Sequence, residues 1–317
     1  MEKNKEEWIE KCEEITNYDR YPGSRSIEEL LKNGIIILDK WAGPTSHDVA
    51  ATVKKILCLN KTAQCGTLDP NVTGVLIITL EHACKVMPAL QGLDKEYVGI
   101  MHLHKDVDEK KLNEAVKKFV GEIRQRPPVR SAVARKERMR KIYSFNVLER
   151  SDRDALFVVS CQAGTYIRKL IDDLGKTIGG AHMKELRRTK IGNFDESRCV
   201  RIQDIADAYQ FWKENKDEGI RNFVLPVEIA IEHLGKIIIK DSAVAAVANG
   251  SPLYTTGICR IQKDIVPDDL VAILTLNGEL VALARANASS EDMAKRKMLA
   301  AKTDRVIMEK GIYPSFK

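Results

Sequence analysis

Apolar residues run without interruption through residues 34–39, Gly-Ile-Ile-Ile-Leu-Asp, and again through Val75, Leu76, Ile77 and Ile78. Short runs rich in branched side chains predict strands, the first buried on both faces and the second spanning 75–79. Residues 94–103 alternate apolar and polar instead, which predicts a half-buried strand with Tyr97 near its start. A further strand pattern covers 156–161. Between these, Gly43-Pro44 breaks the chain, and Thr45 with Asp48 three residues on is a capping-box pattern opening a helix to about residue 57. Residues 81–90 and 109–119 read as two more helices. Gly164-Thr165 ends the strand before it and caps another helix, in which Ile167, Leu170, Ile171 and Leu174 share one face. Arg168 lies off that stripe, in the open first turn, and Gly179-Gly180 closes the helix.

The two ends of the chain read differently from its middle. Residues 1–33 form an acidic arm with a predicted amphipathic helix over 6–15 and a turn at Tyr21-Pro22-Gly23, and such an arm must dock on something to be ordered. Residues 213–221 are a charged surface excursion, and residues 225–233 close the unit that began at 34. From 235 to 317 short strands and turns take over. A strand over 236–240 precedes a small helix that Asp241 or Ser242 would cap. Asn277-Gly278 between two apolar runs predicts a hairpin. This last unit reads as a small β-barrel-like domain.

A length of 317 residues agrees with two domains, because single cores rarely grow beyond about 250–300 residues. The proportions, 44% hydrophobic and 30% charged, are those of a soluble globular protein. No apolar run approaches the roughly 20 residues that a bilayer demands, so a cytoplasmic protein without a membrane partner is expected. Seven scattered cysteines without a C-x-x-C spacing argue against a disulfide framework and against a zinc ribbon. His102 and His104 share a strand face, but with no third ligand nearby they read as ordinary strand residues rather than a metal site. The net charge of +6 is concentrated: from Arg124 to Lys141 there are eight basic residues against Glu137 alone. That run, including Arg135, Lys136, Arg138, Arg140 and Lys141, is expected to be a mobile loop between two strands, and its default partner is nucleic acid.

One acid stands apart from the periodic segments. Asp69 lies between Leu68 and Pro70, and the residue before a proline is pushed out of helical geometry. Taken alone, it reads as an acid that ties its own turn.

Several stretches read together change that. Gly66-Thr67-Leu68-Asp69-Pro70 with Val72-Thr73-Gly74, then Lys95-Glu96-Tyr97, Pro127-Pro128 with Ser131-Ala132, Gly164-Thr165-Tyr166-Ile167-Arg168, and Leu186-Arg187-Arg188-Thr189 with Gly192 and Phe194, occur in the order of the motifs of one family. The chain resembles the TruB/dyskerin family of RNA pseudouridine synthases, and most closely the archaeal catalytic subunit of box H/ACA ribonucleoproteins. Residues 241–250 with Gly257 are similar to the start of a PUA domain. The resemblance implies an α+β fold: a mixed, mainly antiparallel sheet flanked by helices over 34–234, then a PUA barrel over 235–317, with the arm packing on the barrel. It implies isomerisation of uridine to pseudouridine in RNA, with no metal or organic cofactor. Asp69 is the implied nucleophile or base, Arg168 its partner, and Tyr97 the group that stacks on the uracil and takes the C5 proton. Leu186, Gln64 and Tyr166 would line the substrate pocket. The basic run would be the thumb loop that closes over RNA, with Arg187 and Arg188 as further RNA contacts. Implied partners are a box H/ACA guide RNA, ribosomal and transfer RNA substrates, and small proteins of zinc-ribbon, small β-barrel and kink-turn-binding types.

Three positions depart from the family pattern: Gln64 stands for a usual histidine and follows Ala63 where glycine is usual, Trp41 stands for the proline after Lys40, and Asn193 for another proline. Glutamine keeps hydrogen bonding but loses the aromatic face. Attack at C1′, attack at C6 and a glycal route stay open at this point. Two other functions are also compatible with the sequence, a guide-independent tRNA pseudouridine synthase and a non-catalytic RNA-binding scaffold.

Overall fold

The computed structural model describes residues 7–126 and 136–315. Strand β1 (Trp8–Glu10) and helix α1 (Ile27–Asn33) lie in the arm. A first sheet then follows from β2 (Gly34–Lys40), β3 (Thr62–Cys65), β4 (Thr73–Leu80), β5 (Lys95–Leu103), β6 (Gly121–Gln125), β7 (Arg138–Ser151), β8 (Asp154–Cys161), β9 (Ala181–Ile191), β10 (Phe194–Asp195) and β11 (Leu225–Pro226). Its order is β11-β2-β4-β9-β5-β8-β7-β6, and every pairing is antiparallel except β4 with β9. Helices α2 (Ser46–Ile56), α3 (Met87–Gln91), α4 (Glu109–Lys117), α5 (Ile167–Ile178) and α6 (Ile202–Asn215) are interleaved with these strands. The unbroken apolar run of β2 is buried on both faces, and β5 buries every second residue from Lys95 to Leu103, as its alternation predicts.

The second sheet takes β12 (Gly235–Ile239), β13 (Leu253–Tyr254), β14 (Ile258–Gln262), β15 (Leu270–Leu274), β16 (Leu280–Ala286) and β17 (Leu299–Val306), together with β1. Asn277-Gly278 joins β15 to β16, with Gly278 in the left-handed region at φ 84°. Ile238, Leu274, Leu283 and Ile307 of this unit share one apolar cluster with Ile35, Ile37, Val75 and Ile77 of the first sheet. The two units therefore meet through a dry contact. Among the described residues, no helix is long and apolar enough to cross a membrane.

Several expectations are corrected. Residues 8–10 form a strand rather than part of a helix, because β14 offers an open edge and Trp8, Ile9 and Glu10 pair with Gln262, Ile261 and Arg260. The same pairing brings Cys12 to Cys259, and the two form a disulfide with Cα atoms 4.9 Å apart across 247 residues of sequence. Cysteine spacing carries no information about which distant edges meet, so the absence of disulfides expected from the scatter fails here. Residues 81–90 are a 3-10 turn (Glu81–Val86) followed by the short α3, whose Pro88 removes a backbone donor. Much of the basic run is strand: Arg138, Arg140 and Lys141 begin β7, while Arg135 and residues 127–132 lie outside the described residues. Lys213 belongs to α6 rather than to a surface excursion. Helix α5 is preceded by Tyr166, not capped by Thr165. Helix α7 (Asp241–Ala248) starts after Lys240 with no side-chain cap, and Asp241 instead accepts a hydrogen bond from Thr16 of the arm at 2.7 Å.

Candidate active site

The loop carrying Asp69 runs from β3 into β4, and buried polar groups hold it on three sides. Lys40, at the end of β2, is fully buried and donates to the carbonyls of Trp41 (2.9 Å), Pro70 (2.8 Å) and Val72 (3.0 Å). Ser46, the first residue of α2, accepts from the Leu68 N–H at 2.8 Å and donates to the Leu68 carbonyl at 3.1 Å. The Thr45–Asp48 capping box is present and fixes the helix end that presents this serine. On the third side, Arg188 of β9 donates from Nε to the Val75 carbonyl (2.9 Å) and from Nη2 to the Gly66 carbonyl (2.7 Å). Gly74 is obligatory at the loop's exit. Its φ is +101°, and a Cβ there would stand 2.2 Å from the Arg188 carbonyl oxygen.

With its backbone held this way, the loop turns Leu68 and Val72 into the core and leaves the Asp69 carboxylate outside it. Leu68 and Val72 join Tyr97, Ile142, Ile167 and Leu186 in one apolar cluster, which forms the floor. Above it, Arg168 Nη2 lies 2.8 Å from Asp69 Oδ2. Both side chains are open to solvent, 64% and 54% exposed, so the pair faces outward rather than into the interior. Backbone hydrogen bonds place Arg168: Gln125, at the end of β6, accepts from the Tyr166 N–H at 3.0 Å and donates to the Tyr166 carbonyl at 3.2 Å. Gln125 carries no pattern visible in sequence and was missed for that reason; only the approach of β6 to α5 exposes its role.

Tyr97 is buried. Burial pushes its phenol above the ordinary tyrosine value, and the charge of the neighbouring Arg188 pulls the other way. The Lys40 ammonium is held below the usual lysine range by burial and by Arg188, with Asp69 opposing. Leu186 is buried across from Gly99 on β5. Gln64 lies on β3, donates to Thr67 Oγ1 at 3.2 Å, and faces a groove of about 360 Å³ that His47, Lys54 and Lys61 also line.

Of the two expected RNA contacts on β9, one is buried and the other is half-exposed and ion-paired. Arg188 is 1% exposed, so it cannot meet RNA at the surface; its fork is spent on the Val75 and Gly66 carbonyls. Arg187 is bound by Asp39 (2.9 and 3.1 Å) and by Glu196, which neutralise it. Lys136, Arg138 and Arg140 remain at the rim, and the Lys141 ammonium lies 5.7 Å from the Tyr143 ring centre. His102 pairs with Asp154 at 2.6 Å and His104 with His182 at 2.9 Å. Among the described residues, no three His, Cys, Asp or Glu side chains gather as a metal site.

Comparison with known proteins decides the family. Residues 54–167 match the model of the TruB family pseudouridylate synthase N-terminal domain, residues 168–232 that of the tRNA pseudouridylate synthase B C-terminal domain, residues 235–307 the PUA domain, and residues 2–50 the DKCLD domain. A "Probable tRNA pseudouridine synthase B" of Methanopyrus kandleri is 52% identical over 313 residues, covering 97% of this chain and 93% of its own. The chain belongs to the TruB/dyskerin family of pseudouridine synthases. A "Probable tRNA pseudouridine synthase B" of Pyrococcus abyssi is 51% identical, over 92% of this chain and 89% of its own length. The family's solved members extend the likeness to the whole fold. A chain from the crystal structure of a Cbf5-Nop10-Gar1 complex matches with a TM-score of 0.92 and 48% identity, covering 99% of this chain and 97% of that one. A chain from an H/ACA ribonucleoprotein bound to a substrate RNA containing 2′-deoxyuridine matches with a TM-score of 0.90 and 46% identity, covering 98% and 97%. This TruB/dyskerin member is therefore a pseudouridine synthase with a catalytic sheet followed by a PUA domain.

Proposed function

We propose that the chain converts uridine to pseudouridine in ribosomal RNA under the direction of a box H/ACA guide RNA, with Asp69, Tyr97 and Arg168 carrying the reaction. The observation that supports this best is the Asp69–Arg168 ion pair at 2.8 Å, open to solvent beside the apolar cluster that holds Leu68, Val72, Tyr97 and Leu186. A target uridine flipped out of its stack costs a few kcal/mol, returned by contacts with this site. The N1–C1′ bond breaks, the base turns, and a C5–C1′ bond forms. The C5 proton leaves to Tyr97, and N1 ends protonated, so the product is an isomer and no oxidant or reductant is needed. Asp69 assists the departure from C1′, and Arg168 aims its carboxylate while meeting the negative charge that develops. Leu186 and Tyr166 border the base, and Gln64 faces the flanking strand.

Guide direction is favoured by the close likeness to a chain solved in an H/ACA ribonucleoprotein, and the likeness to the Cbf5 chain solved with Nop10 and Gar1 favours small partner proteins, for which the sequence resemblance implies zinc-ribbon, small β-barrel and kink-turn-binding types. The names of the curated relatives favour a second reading, modification of the tRNA T loop without a guide. Reconstitution separates them. The full chain, its partner proteins, a guide RNA and a matched target with one candidate uridine are expected to give pseudouridine only when the guide is present. Product on tRNA alone, with none on the guided target, would select the second reading. Asp69→Asn is expected to abolish product on either RNA while leaving affinity within about threefold, since the carboxylate serves the chemical step rather than ground-state binding. An active D69N protein would remove Asp69 from the mechanism.

A further inference from the structure

The sequence places Arg188 among residues that meet RNA, and its burial removes it from that surface. Its location in the sheet gives it another task. Strand β9 lies between β4 and β5, so Arg188 is paired with Gly74 on one side and with Tyr97 on the other. The register shifts between Glu96 and Tyr97: Glu96 is opposite Lys190, Tyr97 opposite Arg188, and Thr189 is passed over. Bulges of this kind re-aim side chains beside functional sites. Here the shift makes Tyr97 and Arg188 cross-strand partners, and the Arg188 charge acts on the Tyr97 phenol. The same guanidinium donates to Gly66 and Val75, the two ends of the segment that carries Asp69. Gly66 leaves room for it: a Cβ at that position would stand 3.3 Å from Arg188 Nη1.

A planar fork with five donors in fixed directions can satisfy three acceptors at once, whereas an ammonium on a flexible stem acts as a point charge. Because β9 is a central strand, the backbone beneath the fork cannot drift.

We propose that Arg188 is a positioning residue that ties the Asp69 loop and the Tyr97 phenol to a single rigid point, keeping the two reacting groups at a fixed separation. It does not meet the RNA and takes no proton itself; it acts through the Asp69 loop and Tyr97. The inference rests on the reading of Tyr97 as the C5 base.

The test uses the full chain in the reconstitution above, with a target uridine carrying hydrogen or deuterium at C5. Arg188→Lys keeps the charge and loses the fork. It is expected to lower the single-turnover rate at saturating RNA by about 10²-fold, the size of a 1 Å misplacement, with RNA affinity within about threefold. It is also expected to make the rate sensitive to C5 deuterium, by about threefold, because proton removal by a misplaced Tyr97 becomes limiting. A folded R188K protein with a wild-type rate overturns the proposal. So does one whose rate falls without a C5 isotope effect, the behaviour of a purely structural residue.

Should R188K not fold, Tyr97→Phe decides. It removes the phenol oxygen from beside the guanidinium without touching Arg188, and amide hydrogen exchange across residues 62–76 is expected to speed up about tenfold. Unchanged exchange there overturns the coupling. Wild-type pseudouridine formation by Y97F is a separate failure: it overturns the reading of Tyr97 as the base, while loop exchange in the same variant still decides the coupling.

Discussion

Beneath the Asp69 loop, Lys40 and Arg188 are buried against carbonyl oxygens and a phenol, with no carboxylate among their hydrogen-bond partners in the described residues. At the joint between the arm and the two sheets, Arg25 is buried against carboxylates: Glu228 binds it through two bonds at 2.6 and 2.8 Å, and Glu279, 1% exposed, lies 3.6 Å away. The two arrangements serve different ends. A cation matched by carboxylates is neutralised and fixes bodies relative to one another, here the arm, the segment after β11 and the β15–β16 hairpin. A cation matched by dipoles has no partner charge to neutralise it: Lys40 ties the loop backbone, burial and Arg188 hold its ammonium below the usual lysine range, and Asp69 opposes them. The candidate site thus uses buried cations to shape a backbone, whereas the joint only locks.

The comparison breaks most sharply at Lys40. Lys40→Met fills the same space but takes the ammonium from the Trp41, Pro70 and Val72 carbonyls; Pro70 keeps the Gly43 N–H at 3.0 Å, and each carbonyl left unpaired costs about 1–3 kcal/mol. It is expected to lower stability in denaturant titration and to cut the rate about 10²-fold or more, because the loop backbone loses its anchor. If K40M lost stability but kept its rate, the ammonium would be a lock like Arg25. Glu279→Ala should show the converse. Removing one member of a buried charged group costs about 3–5 kcal/mol, and thermal unfolding should record it while single-turnover rates on RNA stay near wild type. A large rate loss in E279A would mean that the joint reaches the site.

Cys12→Ser removes the covalent tie between the arm and β14. The expected loss is about 2–4 kcal/mol, again without a change in rate, and treating the wild-type protein with a reductant should reproduce it. Reversing Arg138 and Arg140 has the smallest effect on the fold, since both are at the rim. RNA binding should weaken and its salt slope should fall by about two; an unchanged slope would return β7 to a solvated surface. A pH series sharpens the same comparison at Tyr97. Burial raises its phenol, so the phenolate is scarce at neutral pH and grows tenfold per unit below that raised value. In R188K, where proton removal is expected to limit, the rate should rise with pH; a flat profile would separate Tyr97 from that step.

Much of this was legible along the chain. The apolar run of β2, the alternation of β5, the capping box of α2 and the Asn-Gly hairpin are local patterns, each dictated by the period of its element, and all four stand in the structure. The motif around Asp69 and the separate motif at Arg168 named the two groups that the fold brings to 2.8 Å. Sequence could not say that Arg188 is buried while Arg187, its neighbour, is half-exposed and ion-paired, because adjacent residues on a strand face opposite ways and only the strand's neighbours decide which face is inside. Nor could it find Gln125, the pairing of residues 8–10 with β14, or the Cys12–Cys259 bond. Those depend on contacts between segments far apart in the chain, which no local period records. Sequence by itself determined the elements with a clear local period and marked Asp69 as the candidate acid. Tertiary packing decided which cations hold that acid's loop, since a buried charge is defined by what surrounds it and not by its place in the chain.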